Sequence, residues 1–177
     1  MIVIVGASAS GKSTVQKVLC KDGKYKPLIS YTTREPREGE VDGVDYHFVT
    51  RKKFIEMKGL GAFAEHATYN GWHYGIAKED IKDDTVGVLT PHGLRMLKRF
   101  PELHITSFYL DVPRRDRLIK ILQRNDDVDE AIRRNMSDVG TFDGIEDEVD
   151  YVLPNDGYSF SPKCLADTIL TCMSEER

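Results

Sequence analysis

Met1-Ile-Val-Ile-Val5 runs directly into Gly6-Ala-Ser-Ala-Ser-Gly11-Lys12-Ser13, and the reading of these thirteen residues decides the fold. The opening five form a short, unbroken apolar run, as a strand buried on both faces does. They are too few to cross a bilayer and lack the basic start of a secretory leader. The next eight satisfy G-x-x-x-x-G-K-[ST] at every fixed position. Val15, Val18 and Leu19 then fall at helical spacing, which predicts a helix opening near Lys12. Strand, glycine turn and helix together make a phosphate cradle. Glycines let successive N–H groups face inward, and the helix N-terminus adds its positive end. Lys12 can reach β- and γ-phosphates, and the Ser13 hydroxyl can hold Mg²⁺. Gly6, Ala7, Ser8, Ala9, Ser10, Gly11, Lys12, Ser13 and Thr14 are thus candidate ATP-binding residues.

Outward from the loop, short apolar runs alternate with helical spacing, the pattern of a mostly parallel sheet. Val86–Leu89, Ile105–Leu110 and Tyr151–Leu153 read as strands. Helices are expected from Pro91, around Leu118–Leu122, over Glu130–Met136 and over Cys164–Met173. The stretch from Ser30 to about Lys78 is richer in Gly, Tyr, Arg and Glu, with short polar strand-like pieces at Tyr46–Val49 and Gly61–Glu65. It reads as an insertion carrying its own small mixed sheet. The 177 residues suit one domain, with 40% hydrophobic and 31% charged residues. A net charge of −4 argues against a general nucleic-acid binder. Cys20, Cys164 and Cys172 have neither zinc spacing nor a framework of pairs, and the five histidines show no ligand spacing with them. A cytoplasmic protein with reduced thiols, binding neither membrane nor nucleic acid, is the expectation.

A phosphate loop alone does not name a reaction. The segment after α-helical Val15–Leu19 narrows the choice. Ser30-Tyr-Thr-Thr-Arg34-Glu-Pro-Arg37-Glu-Gly-Glu40 and Gly43-Val-Asp-Tyr46-His-Phe48 set two arginines and a tyrosine among turn residues. Guanidinium forks suit bidentate phosphate binding. Phe63-Ala-Glu65 and Tyr74-Gly75 add a carboxylate and a second tyrosine. A buried carboxylate accepts two parallel N–H bonds, which a guanine edge offers and adenine does not. The set would hold a guanosine monophosphate.

Here the chain resembles the guanylate kinases, from the phosphate loop to Asn155. Their signature T-T-R-x-P-R-x-G-E-x-x-G-x-D-Y-x-F is present at every fixed position from Thr32 to Phe48. The resemblance implies that Arg34, Arg37, Glu40, Tyr46 and Tyr74 surround the GMP phosphate, and that Ser30 and Glu65 read the base. It implies an α/β fold: a P-loop NTPase-like parallel-sheet core with helices on both faces, a small mixed β insertion for the monophosphate and a helical lid. Core, insertion and lid would then occupy 1–29 with 79–112 and 140–177, 30–78, and about 113–139, all within one domain. Mg²⁺ with ATP as donor is the implied cofactor, and a monomer or homodimer the implied assembly.

The chain departs from this pattern in places. The family's D-x-D-x-x-G is Val88-Leu-Thr90-Pro-His-Gly93, so both acids are missing and Thr90 takes the second position as a GMP-site candidate. Ile76 stands where a hydroxyl residue normally meets the guanine edge. The lid's R-L-x-x-R-G is shortened to Ile121-Leu-Gln-Arg124-Asn-Asp126, leaving Arg124 and Arg134 beside Lys12 as candidate catalytic residues. Asn155 resembles the residue beside the ATP adenine. Phosphorylation of GMP by ATP is the leading expectation. A kinase for other or more (deoxy)nucleoside monophosphates, and a non-catalytic guanylate-kinase-like binding module, stand as rivals.

Overall fold

A computed structural model describes residues 1–37, 39–69, 71–123 and 128–175. Nine strands and six α-helices are among them. In chain order they are β1 (Ile2–Val5), α1 (Lys12–Leu19), β2 (Lys26–Pro27), β3 (Tyr31–Thr32), β4 (His47–Phe48), α2 (Arg51–Gly59), β5 (Phe63–Tyr69) and β6 (Trp72–Ala77). There follow β7 (Thr85–Leu89), α3 (Pro91–Leu97), β8 (Thr106–Asp111), α4 (Arg114–Gln123), α5 (Val128–Ser137), β9 (Tyr151–Pro154) and α6 (Pro162–Glu175).

The larger sheet is parallel throughout, in the order β2-β7-β1-β8-β9. β1 lies at its centre: Ile2 pairs with Val86 on one side and Thr106 on the other. Side chains alternate across a strand, and the two faces of β1 therefore feed two cores. Ile2 and Ile4 pack with Val15 and Leu19 of α1 and with Leu165, Ala166 and Ile169 of α6. Val3 and Val5 pack on the other face with Leu94 and Leu97 of α3, and with Ala64 and Ile76 of the second sheet. That apolar contact joins the second sheet to the first.

The second sheet is small and mixed, in the order β4-β3-β6-β5. β3 runs parallel to β4 and antiparallel to β6, and β5–β6 form a hairpin with an irregularity between Phe63 and Glu65. Phe54 of α2 stacks on Phe63 at 4.4 Å between centroids. Gly75 permits that approach, since a Cβ there would meet the Phe63 ring at 2.9 Å. Among the described residues, no helix is long and apolar enough to cross a membrane.

Candidate active site

The Gly6–Ser13 loop leaves the carboxyl end of the central strand. In an open parallel sheet this is where ligands bind. Its curl has identifiable causes. Ser10 N–H donates to the Ala7 carbonyl at 3.1 Å. Gly11 takes φ +96° as it caps α1, a conformation costly for any residue with a Cβ. Gly6 is required for a different reason: a Cβ would fall 2.6 Å from Ser10 Oγ and 3.0 Å from the Leu110 carbonyl. From beyond β9, the Tyr158 hydroxyl donates to the Ala9 carbonyl at 2.8 Å. Ser13 and Thr14 are exposed in the first helical turn.

Lys12 folds back over the loop, its Nζ donating to the carbonyls of Gly6 at 2.6 Å and Ala7 at 2.8 Å. Burial lowers its pKa to about 8, with Asp138 opposing the shift and Arg117 adding to it. Neither neighbour was legible as part of the site. Arg117, on α4, is buried; its Nε donates to the Val112 carbonyl at 3.0 Å, and its Nη1 lies 3.4 Å from both the Ser8 carbonyl and Asp138 Oδ2. Asp138 Oδ2 also accepts the Ser8 N–H at 2.8 Å. A cavity of about 560 Å³ opens beside this group, lined in part by Ala7, Tyr109, Arg114 and Phe142.

On the second sheet, Arg34, Glu40, Tyr46 and Tyr74 come together. Arg34 Nη2 forks onto Glu40 Oε1 and Oε2 at 2.8 and 2.9 Å, and its guanidinium lies over the rings of Tyr46 and Phe48 at 5.3 and 5.8 Å. Its side chain is only 11% exposed. Tyr46 and Tyr74 meet edge-on at 6.1 Å. Burial raises the Tyr46 hydroxyl above its ordinary pKa, so it stays a donor near neutrality. Arg37 is exposed, and its backbone N–H donates to Glu40 Oε2 at 2.8 Å. Glu40 thus holds one arm of the guanidinium that the resemblance assigns to a phosphate, while Arg34 Nη1 donates to the Glu35 carbonyl at 2.7 Å.

Glu65 is buried on β5, opposite Ile76 on β6. Burial alone raises its carboxyl to about 7. Ile76 is 1% exposed and belongs to the core against α3, so the residue expected at a base edge acts as apolar packing. Thr90 is exposed and caps α3, its hydroxyl oxygen accepting the Gly93 N–H at 3.2 Å, which leaves its proton and one lone pair for another partner. Ser30 is half-buried and its carbonyl accepts from His47 N–H at 2.9 Å. Asn155 is buried and turned onto the backbone: its Oδ1 accepts from Phe160 N–H at 2.8 Å and its Nδ2 donates to the Phe160 carbonyl at 3.3 Å. Arg124 and the Arg134 side chain lie outside the described residues.

Comparison with known proteins agrees over nearly the whole chain. The guanylate kinase family model matches residues 1–171. A guanylate kinase of Nitrosococcus oceani is 34% identical over 167 residues, covering 89% of this chain and 81% of that protein. The crystal structure of a guanylate kinase from Anaplasma phagocytophilum superposes with a TM-score of 0.72 at 21% identity, covering 99% of this chain and 85% of that one. The YorR protein of Bacillus subtilis, solved with phosphorylated GDP, has a TM-score of 0.56 at 16% identity over 99% and 97% of the two chains. With a family match of that extent on a P-loop α/β scaffold, this chain belongs to the guanylate kinase family.

Proposed function

We propose that this chain transfers the γ-phosphoryl group of ATP to GMP, with the Gly6–Ser13 loop as donor cradle and the second sheet as acceptor site. The observation that carries the reading is one chain bearing both a complete phosphate loop and an arginine held over the rings of Tyr46 and Phe48. Within it, Arg34 exchanges Glu40 for the acceptor phosphate while Tyr46 and Tyr74 add hydroxyl donors. Arg37, at the rim, supplies a second cation. The Glu65 carboxylate receives the guanine N1–H and N2–H₂, with Ser30 and Thr90 at its borders. Lys12 turns from its own loop carbonyls to the transferred phosphoryl group, neutralising charge where it develops. Arg124 and Arg134 remain proposed lid contributors, and Asn155 shapes the adenine end through its turn.

The acceptor is a phosphate oxygen, largely deprotonated near neutral pH, so no general base is needed. Positioning and charge neutralisation supply the rate. The residues present suit Mg²⁺: the ion takes few protein ligands beside phosphate and water oxygens, and Ser13 offers an exposed hydroxyl in the first turn of α1. When bound there it would offset charge on the β- and γ-phosphates. The rival readings are not favoured. Relatives covering most of this chain are named guanylate kinase, and the cradle that scaffold domains lose is intact.

The test is ADP release on the full chain across a panel of nucleoside monophosphates. GMP is expected to be the preferred acceptor, and Lys12→Ala to remove turnover with all of them. Turnover with dAMP or a pyrimidine nucleotide but not GMP would overturn the acceptor assignment.

A further inference from the structure

Ser8 lies in the Gly6–Ser13 loop, whose N–H groups the donor-site assignment directs at the phosphates of the nucleotide. The Ser8 N–H is already taken, by the Asp138 carboxylate at 2.8 Å. Asp138 lies just beyond α5, 130 residues from Ser8 in the chain, and its side chain is 15% exposed. The same oxygen lies 3.4 Å from Arg117 Nη1, whose guanidinium reaches the Ser8 carbonyl as well. An anion thus sits where the loop binds anions, attended by a buried arginine and by Lys12. One N–H cannot serve a carboxylate and a phosphate at once, and two anions there would repel.

We propose that Asp138 is an internal stand-in for a donor phosphate, displaced when ATP binds, and that Arg117 passes from Asp138 to the incoming phosphate. Arg117 is then a phosphate-contacting residue held in the cradle before ATP arrives. Asp138 is a positioning residue that keeps Arg117 and Lys12 compensated when no donor phosphate is bound. The arrangement sets the ATP affinity, because only molecules whose carboxylate has left are competent to bind. It also ties the segment after α5 to the phosphate loop and frees it on donor binding. Asp138 differs from Glu40 in the fork of Arg34, which joins residues six apart on one loop. Asp138 joins two distant parts of the fold.

The proposal rests on the donor-site assignment, and the experiment separates the two. ATP is titrated calorimetrically into wild type, Asp138→Ala, Asp138→Asn and Arg117→Gln, each as the full chain, and KM values for ATP and GMP are measured alongside. Asp138→Ala is expected to bind ATP about tenfold more tightly, the equivalent of one charge-assisted hydrogen bond no longer broken. Asp138→Asn, neutral and the same shape, should tighten it several-fold, with the GMP KM unchanged. Arg117→Gln should weaken ATP more than tenfold and lower kcat at saturating ATP. A merely structural Asp138 would give the opposite sign, since its loss would loosen the loop and weaken ATP. Unchanged or weaker ATP binding by Asp138→Asn, in a protein with a wild-type thermal melt, overturns the proposal and leaves the donor site standing. Failure of wild type to bind ATP brings down both.

Discussion

The pH dependence of GMP binding provides a test of Glu65. Its carboxyl is raised from 4.5 to about 7 by burial, with no neighbouring charge offsetting the shift. Only the ionised form accepts two guanine N–H bonds, so in the free protein about a tenth of the molecules are competent at pH 6 and about nine-tenths at pH 8. GMP association should therefore rise about tenfold across that window. The phosphate of GMP ionises near 6 and adds a smaller gain of its own. Glu65→Gln isolates that gain. It should retain the shallow slope and lose the steep one, and at pH 8 should bind GMP at least tenfold more weakly with ATP affinity unmoved. The same shift acts on folding. A carboxyl raised in the folded state contributes stability that is complete below 4.5 and lost as pH rises through about 7. At pH 8 Glu65→Gln should accordingly be the more stable protein, by up to about 3 kcal/mol. Calorimetric titration of GMP from pH 6 to 8, on wild type and variant, reads the effect. Equal slopes for the two proteins would refute the assignment of Glu65 as base reader.

Two further outcomes are expected. Lys12 is depressed from 10.5 to about 8, so the charged form costs stability below 8, and this cost vanishes above 10.5. Lys12→Met should end phosphoryl transfer yet raise the melting temperature at pH 7 by several degrees, an advantage that shrinks as the pH is raised towards 10.5; an unchanged or lower melting temperature at pH 7 would contradict this. Gly6→Ala forces a methyl to 2.6 Å from Ser10 Oγ. Overpacking of this kind costs about 1–3 kcal/mol, so denaturant unfolding should shift by that amount and ATP affinity should fall; wild-type stability would mean the loop yields freely.

The core was legible because its physics is local. Ile2–Val5 could be read from four residues, and α1 from Val15 and Leu19 falling on one face. The second sheet was less so. β3 is two residues long, and β6 (Trp72–Ala77) mixes Tyr, Gly and Ile without clean alternation. In α2, Arg51–Gly59, only Phe54 is buried, so no apolar stripe announced it. β2, Lys26–Pro27, hides behind a proline, tolerated there because the strand is an edge. Arg34 and Glu40 could be singled out because they are six residues apart within one motif. Arg117 and Asp138 lie 109 and 130 residues from the loop they touch, and neither belongs to a motif; only folding brings them to Ser8. Ile76 misled for a related reason. Its neighbours in the chain belong to the second sheet, but its contacts belong to the core.

The placement of β1 has a consequence for biosynthesis. Its two neighbours, β7 and β8, are made long after it: Ile2 waits for Val86 and then for Thr106. Until Val86 is made, a nascent chain therefore carries β1 as an apolar, unpaired segment, the kind of exposed strand that invites misassembly and capture by chaperones. Closing contacts this distant is slow, on the order of milliseconds to seconds. The nucleotide loop acquires the supports of Asp138 and Tyr158 only after both have left the ribosome, so ATP can reward folding only from that point.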